Sequence, residues 1–200
     1  MISLSKSLLR SPVQNGKRLA KGFSLVEVLI GVAIIGVVMT IALPSFNEWI
    51  KNVRIRSAAE AVLAGVQTAR SEAIRRNAPV AFTLLPTADA TLLWRVGCVI
   101  VTATCPASIH TRPLSEGGAT AVSFDAGADT LLCFESFGRI PISPPLPLPP
   151  GCPPGAAATW NVESSDSYSG ERPLRILVDV GGASRVCDPY LSASVLGSCP

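Results

Sequence analysis

Residues 23–43, FSLVEVLIGVAIIGVVMTIAL, form an apolar run interrupted by a single carboxylate, Glu27. As a helix this run rises about 32 Å, enough to cross a hydrocarbon core of about 30 Å. Beyond it the pattern changes from apolar on every side to apolar on one. Phe46, Ile50, Val53, Ala58, Val62, Val66, Ala69 and Ala73 recur at spacings of three to five, with Arg54, Arg56, Glu60, Arg70 and Arg75 between them. That spacing predicts an amphipathic helix over 44–77. Pro44 lacks a backbone donor, so a kink is expected at the junction. After the helix the period shortens. PVAFTLL (79–85), LLWRVGCVIV (92–101), AVSF (121–124), LLCFES (131–136), TWNV (159–162), LRILVDV (174–180) and SRVC (184–187) read as strands. Turn residues separate them at Glu116-Gly117-Gly118, Ala126-Gly127-Ala128-Asp129 and Val180-Gly181-Gly182. The stretch ASIHTRP around His110 reads as a loop. The proline-rich stretch 141–155 cannot be a central strand and reads as an extended surface excursion. The predicted fold is α+β: a long N-terminal helix, half transmembrane and half amphipathic, packed on an antiparallel β-sheet domain over 78–200.

Charge divides the chain in the same places. Residues 1–22 carry Lys6, Arg10, Lys17, Arg18 and Lys21 and no acid. By the positive-inside rule this leader stays in the cytoplasm, and the domain lies across the inner membrane in the periplasm. A cleavable secretory signal fits less well, because no small-x-small site closes the apolar run at Leu43-Pro44-Ser45. From Ala78 onward there are six arginines and ten acids, a net of −4, which is not the balance of a general nucleic-acid-binding surface. Cys98, Cys105, Cys133, Cys152, Cys187 and Cys199 all follow the membrane segment. An even count there suggests disulfides in an oxidising compartment, with reduced buried thiols as the other reading.

The segment KGFSLVEVLIGVAIIG (21–36) resembles the class III signal of type IV prepilins and type II secretion pseudopilins. A basic leader ends in Gly22, Phe23 follows, and a glutamate stands fifth in the apolar run at Glu27. The resemblance implies cleavage between Gly22 and Phe23 by a prepilin peptidase, N-methylation of Phe23 by the same enzyme, and retention of 23–43 as a single-pass inner-membrane anchor. It also implies a partner for Glu27: the Phe23 ammonium of an adjacent pilin or pseudopilin subunit in the growing fibre. Two such charges about 4 Å apart attract by roughly 4 kcal/mol at an effective dielectric near 20. A contact with the chain's own terminus, or snorkelling of the carboxylate to the membrane interface, is the alternative.

RSAAEAVLAGVQTARSEAIRRNAPVAF (56–82), with its Ala69-Arg70-x-Glu72-Ala73-x-x-Arg76-Asn77 helix end, is similar to the H-type branch of minor pilins and pseudopilins (FimT, FimU and GspH). WRVGCVIV, FESFGRI and GGASRVCDP resemble that branch too. The function this implies is a minor pilin that takes part in type IV pilus assembly and priming at the fibre tip. An H-type pseudopilin of type II secretion is the alternative; Cys187-Asp188-Pro189 and Cys199 look more like the pilus side. A third reading is a DNA-binding minor pilin. Relatives that capture DNA carry two arginines in a C-terminal GRxR loop, whereas GGASR offers Arg185 alone, with Arg172 and Arg175 nearby in sequence. DNA binding is therefore not favoured. Cys98 with Cys105, and Cys187 with Cys199, are close enough to be joined across a turn, which leaves Cys133 for Cys152, although six cysteines allow other pairings. There is no phosphate-binding glycine loop and no metal-ligand spacing, and a lone loop histidine is usually just solvated. Neither catalysis, cofactor nor metal is expected.

Overall fold

A computed structural model of the chain describes residues 22–85, 91–127, 130–142, 152, 155 and 157–200. The leader 1–21, the turn residues Ala128 and Asp129 and most of the proline-rich stretch lie outside the described residues. Helix α1 spans Leu25–Arg76. The chain divides into two compact units, residues 1–42 and 43–200, so α1 contributes its first part to one and the rest to the other.

In the first unit, the apolar side chains from Leu25 to Met39 are exposed almost throughout. Water does not stabilise such a surface, so lipid or other helices must cover it. Among the described residues no single helix is long and apolar enough to cross a membrane. Leu25–Thr40 with Ser45–Arg76 passes that test only as a pair, across a break that contains Pro44. The first stretch alone rises about 24 Å, short of a hydrocarbon core of about 30 Å.

In the second unit, α1 lies on two four-stranded antiparallel sheets where a single sheet was expected. The strands are β1 (Val80–Leu84), β2 (Leu92–Cys98), β3 (His110–Pro113), β4 (Val122–Asp125), β5 (Leu131–Phe134), β6 (Ala158–Ser164), β7 (Leu174–Val178) and β8 (Ser184–Cys187). One sheet has the order β3-β2-β1-β5 and the other β4-β6-β7-β8. The chain thus leaves the first sheet after β3, lays down β4 in the second, returns for β5 and finishes in the second. Two sequence expectations are corrected here. His110 opens an edge strand rather than sitting in a loop, and a 3-10 helix spans Glu116–Ala121 where a glycine turn was expected. Strand β3 has only four residues, is largely exposed and ends in proline, so it carries no alternating pattern to read.

The core follows the two periods. Strand β1 alternates Val80, Phe82 and Leu84 inward, and β6 alternates Ala158, Trp160 and Val162. Phe82 bridges the sheets, its ring 5.6 Å from Trp160 and 6.0 Å from Trp94. Burying a side chain of that size contributes roughly 1.5–3 kcal/mol. The helix adds Ile55, Ala58, Ala59, Val62, Val66, Ala69 and Ala73. Ala and Gly on this face let the helix approach closely: a Cβ at Gly65 would stand 2.7 Å from both the Phe82 and the Trp94 rings. At that point Trp94 Nε1 donates to the Ala61 carbonyl at 3.0 Å. The expected apolar stripe is fully buried only from Ile55 onward. Ile50 is half-buried, and Phe46 and Val53 remain 55% and 45% exposed.

Helix α1 ends in a Schellman arrangement. Asn77 takes φ +48°, its N–H bonds Ile74 O at 3.3 Å, and the Ala78 N–H bonds Ala73 O at 3.3 Å. Pro79 then prevents continuation. Disulfides join Cys98–Cys105, Cys133–Cys152 and Cys187–Cys199, with Cα separations of 5.6, 5.8 and 5.1 Å.

Candidate functional site

The first turn of α1 holds three of the residues singled out by sequence. Gly22 and Phe23 precede the helix and are exposed, Phe23 at 83%. The peptide bond between them is therefore on open, non-helical backbone. Ser24 is the cap. Its Oγ accepts from the Glu27 N–H at 3.2 Å, and its carbonyl accepts from the Val28 N–H at 3.2 Å. Ser24 and Glu27 thus stand at the cap and third positions, the spacing of a capping box. The Glu27 carboxylate sits in the turn where the helix dipole is positive, which favours an anion by about 0.3–1 kcal/mol. Among the described residues its side chain has no ionic partner.

The helix-end signature has a structural explanation at the other end of α1. Glu72, with its side chain 10% exposed, accepts from Arg75 at 2.6 Å and from Arg76 at 2.7 Å. His110 Nε2 on β3 stands 3.7 Å from its other oxygen. Arg76 also donates to the Thr104 carbonyl in the Cys98–Cys105 loop. The hydrogen bond from Arg75 is the main influence on Glu72; burial opposes it, and Arg76 adds to it. Together they hold the carboxyl at about 2. Arg70 Nε donates to the Gly138 carbonyl at 2.9 Å, tying the helix to the FESFGRI turn. Arg70, Glu72 and Arg76 are therefore joints between the helix and the sheet domain, and Asn77 ends the helix. Sequence reasoning found the signature but did not connect it to His110.

The arginine candidates do not converge as a set. Register places Arg175 opposite Cys187 and Leu177 opposite Arg185, so Arg175 and Arg185 are diagonal neighbours on the outer face of the second sheet. Arg175 Nε is engaged with Asn161 Oδ1 at 2.8 Å. The same face carries Glu163 and Asp125 on the next strands, through the Ser123–Glu163 and Asp125–Asn161 pairs. Two cations against two anions make a balanced surface. Arg172 lies apart and lines a groove beside α1, its backbone N–H bonded to Asn52 Oδ1 at 2.9 Å.

The described N-terminal segment is thus exposed and capped for helix formation, and the later part of α1 packs on a two-sheet domain. The family model for the prokaryotic N-terminal methylation motif matches residues 17–43. That for type II transport protein GspH matches residues 58–182, more than half of the chain, and the chain belongs to the GspH family. Two crystal forms of the type IV minor pilin FimU from Pseudomonas aeruginosa are similar in structure, each at 18% identity over 68% of this chain. The matches cover 92% and 97% of the FimU chains, with TM-scores of 0.47 and 0.45. No curated protein matches significantly in sequence.

Proposed function

We propose that this chain is a minor pilin, cleaved between Gly22 and Phe23 by prepilin peptidase, N-methylated at Phe23 and built into a type IV pilus near its tip, where it helps to prime assembly. Before assembly, 23–43 anchors it in the inner membrane and the domain 78–200 stands in the periplasm. One observation carries this reading: the methylation motif over 17–43 runs directly into a capped helix whose only early carboxylate, Glu27, has no ionic partner among the described residues. A neighbouring subunit's Phe23 ammonium is the partner it lacks. Other pilins are thus partners through the N-terminal helix, and the peptidase through the leader.

The test is Glu27→Ala in the full chain. Cleavage, followed by intact mass and N-terminal sequencing, should continue to give N-methyl-Phe23, while the amount of protein in sheared pili falls. Equal incorporation refutes the pairing, and a mature terminus at Met1 or near Ser45 refutes the processing.

A second reading, a pseudopilin of type II secretion, is favoured by the family description itself. Deleting the gene separates the two: loss of surface fibres supports the pilus, and loss of exoprotein secretion with fibres intact supports the pseudopilus. Capture of DNA draws no support from the divided arginines.

A further inference from the structure

The part of α1 that the strands leave uncovered is not simply bare. Phe46 and Trp49 stack on each other with centroids 5.8 Å apart, and Trp49 is 60% exposed. Trp49 and Val53 form one wall of a groove of about 670 Å³, and Leu191 and Leu196 from the segment after β8 form the other. Leu196 is 99% exposed and Val195 46%. These side chains stand on a fixed loop. Cys187–Cys199 closes it, the Asp188 N–H bonds Gly197 O at 2.8 Å, and the Cys199 N–H bonds Asp188 O at 3.2 Å. On the other flank, Tyr168 donates to Asn52 Oδ1 at 2.8 Å, and Lys51 Nζ lies 4.7 Å from the Tyr168 ring centroid.

Three features identify the occupant. First is reach: Trp49 follows Leu43, the last residue of the apolar run, by six helical residues, a rise of about 9 Å. The headgroup layer flanking a hydrocarbon core is of similar depth, several ångströms on each side. Second is side-chain type. Trp, Tyr and Lys with apolar stems are the residues that settle at a membrane interface. Third is charge. The groove holds Arg56 paired to Glu60 at 3.0 Å, with Arg172 and Asp188 also lining it. That lining is balanced, which suits a zwitterionic headgroup layer and gives no preference for an anion.

We propose that this end of the domain is a bilayer-docking surface. Phe46 and Trp49 on the helix, with Leu191, Val195 and Leu196 on the C-terminal disulfide loop, rest in the headgroup region of the membrane that holds the anchor. The domain is thereby held against the lipid until it is drawn into a fibre. The inference rests on the anchored reading of 23–43.

The experiment uses the full chain reconstituted in vesicles of phosphatidylcholine brominated just below the headgroup. The chain has three tryptophans, and Trp94 and Trp160 are buried, so only Trp49 is open to quenching. Trp49 emission should be blue-shifted and quenched, and Trp49→Phe should abolish the quenching. Because the tether alone brings Trp49 near lipid, the decisive probe is Leu196→Trp in the Trp49→Phe background. Its new indole should be quenched as well. If the chain floats with the vesicles after an alkaline wash but the Leu196→Trp indole is unquenched, the docking surface is refuted while the anchor stands. If quenching is absent and the indole becomes shielded only when another pilin subunit is added, the groove is a protein interface and the proposal is overturned. If the chain does not float, the anchored reading fails and the docking proposal with it.

Discussion

Protonating or removing Glu72 should loosen the joint between α1 and the first sheet. Its carboxyl is held at about 2 against an ordinary 4.5, chiefly by the Arg75 hydrogen bond. The folded value is depressed, so the stabilisation is complete above pH 4.5 and is lost as pH falls toward 2. At 1.36 kcal/mol per unit, the shift corresponds to about 3 kcal/mol. That is an upper figure, because the Arg75 side chain is 63% exposed and water screens its share. Glu72→Gln at pH 7 removes the same charge and leaves Arg76, 19% exposed, with a neutral amide oxygen and the Thr104 carbonyl in place of an anion. A loss of about 2–3 kcal/mol is expected, or roughly 4–12 °C in Tm for a chain of this size. The assay is thermal unfolding of the full chain in detergent, followed by the emission of the buried Trp94 and Trp160, for both proteins from pH 7 to 2.5. Titrations elsewhere are common to both proteins and cancel. The gap between wild type and variant should therefore shrink mainly between pH 4.5 and 2.5. A gap that stays constant over this range, or no gap at pH 7, would refute the assignment of the low carboxyl to a stabilising joint.

Gly65→Ala should destabilise by about 1–2 kcal/mol in the same melt, because overpacking against Phe82 and Trp94 outweighs the gain in helix propensity; a more stable variant would show that the helix can move away from the sheet freely. Asn77→Ala should cost about 1 kcal/mol, whereas Asn77→Gly should cost nothing or stabilise, since only the left-handed φ distinguishes them. The double variant Cys187→Ser/Cys199→Ser should lose about 3 kcal/mol by melting, the value for freeing a loop of this length, and an unchanged Tm would count against the bond's contribution. Duplex DNA should bind the full chain in detergent no tighter than about 10⁻⁴–10⁻⁶ M near physiological salt in an anisotropy titration. Submicromolar binding abolished by Arg175→Ala/Arg185→Ala would reverse that expectation.

What the sequence disclosed depended on how long each pattern was. The 52-residue helix and the strands with clear period two, such as β1 and β6, were readable because many positions repeat the same signal. Strand β3 was not, since its position depends on pairing with β2, and its contact with Glu72 reaches back three elements. The division into two sheets was hidden for the same reason: which strands pair is decided by contacts such as Phe82 with Trp160, far apart in sequence. The arginines illustrate the limit most directly. Arg172 and Arg175 are three residues apart in the chain yet fall in different places, while Arg175 and Arg185 become neighbours through strand register.

Glu27 shows how a local and an intermolecular explanation can both be needed. A charge at the centre of a membrane helix costs about 2.5–3.5 kcal/mol on insertion scales. Glu27 stands in the first turn rather than at the centre, so its cost is smaller, and the capped helix end returns about 0.3–1 kcal/mol of it. On the proposed function, the monomer thus tolerates the carboxylate well enough to be inserted, yet a residue of unfavourable energy remains. Ser24 satisfies the Glu27 N–H but not its carboxylate. Ser24→Ala should therefore weaken the first turn while leaving fibre incorporation largely intact, whereas Glu27→Ala should spare the helix and lose incorporation. If the two variants were equally defective in sheared pili, capping of the helix would account for a carboxylate in this turn without any partner, and the ammonium pairing would be unnecessary.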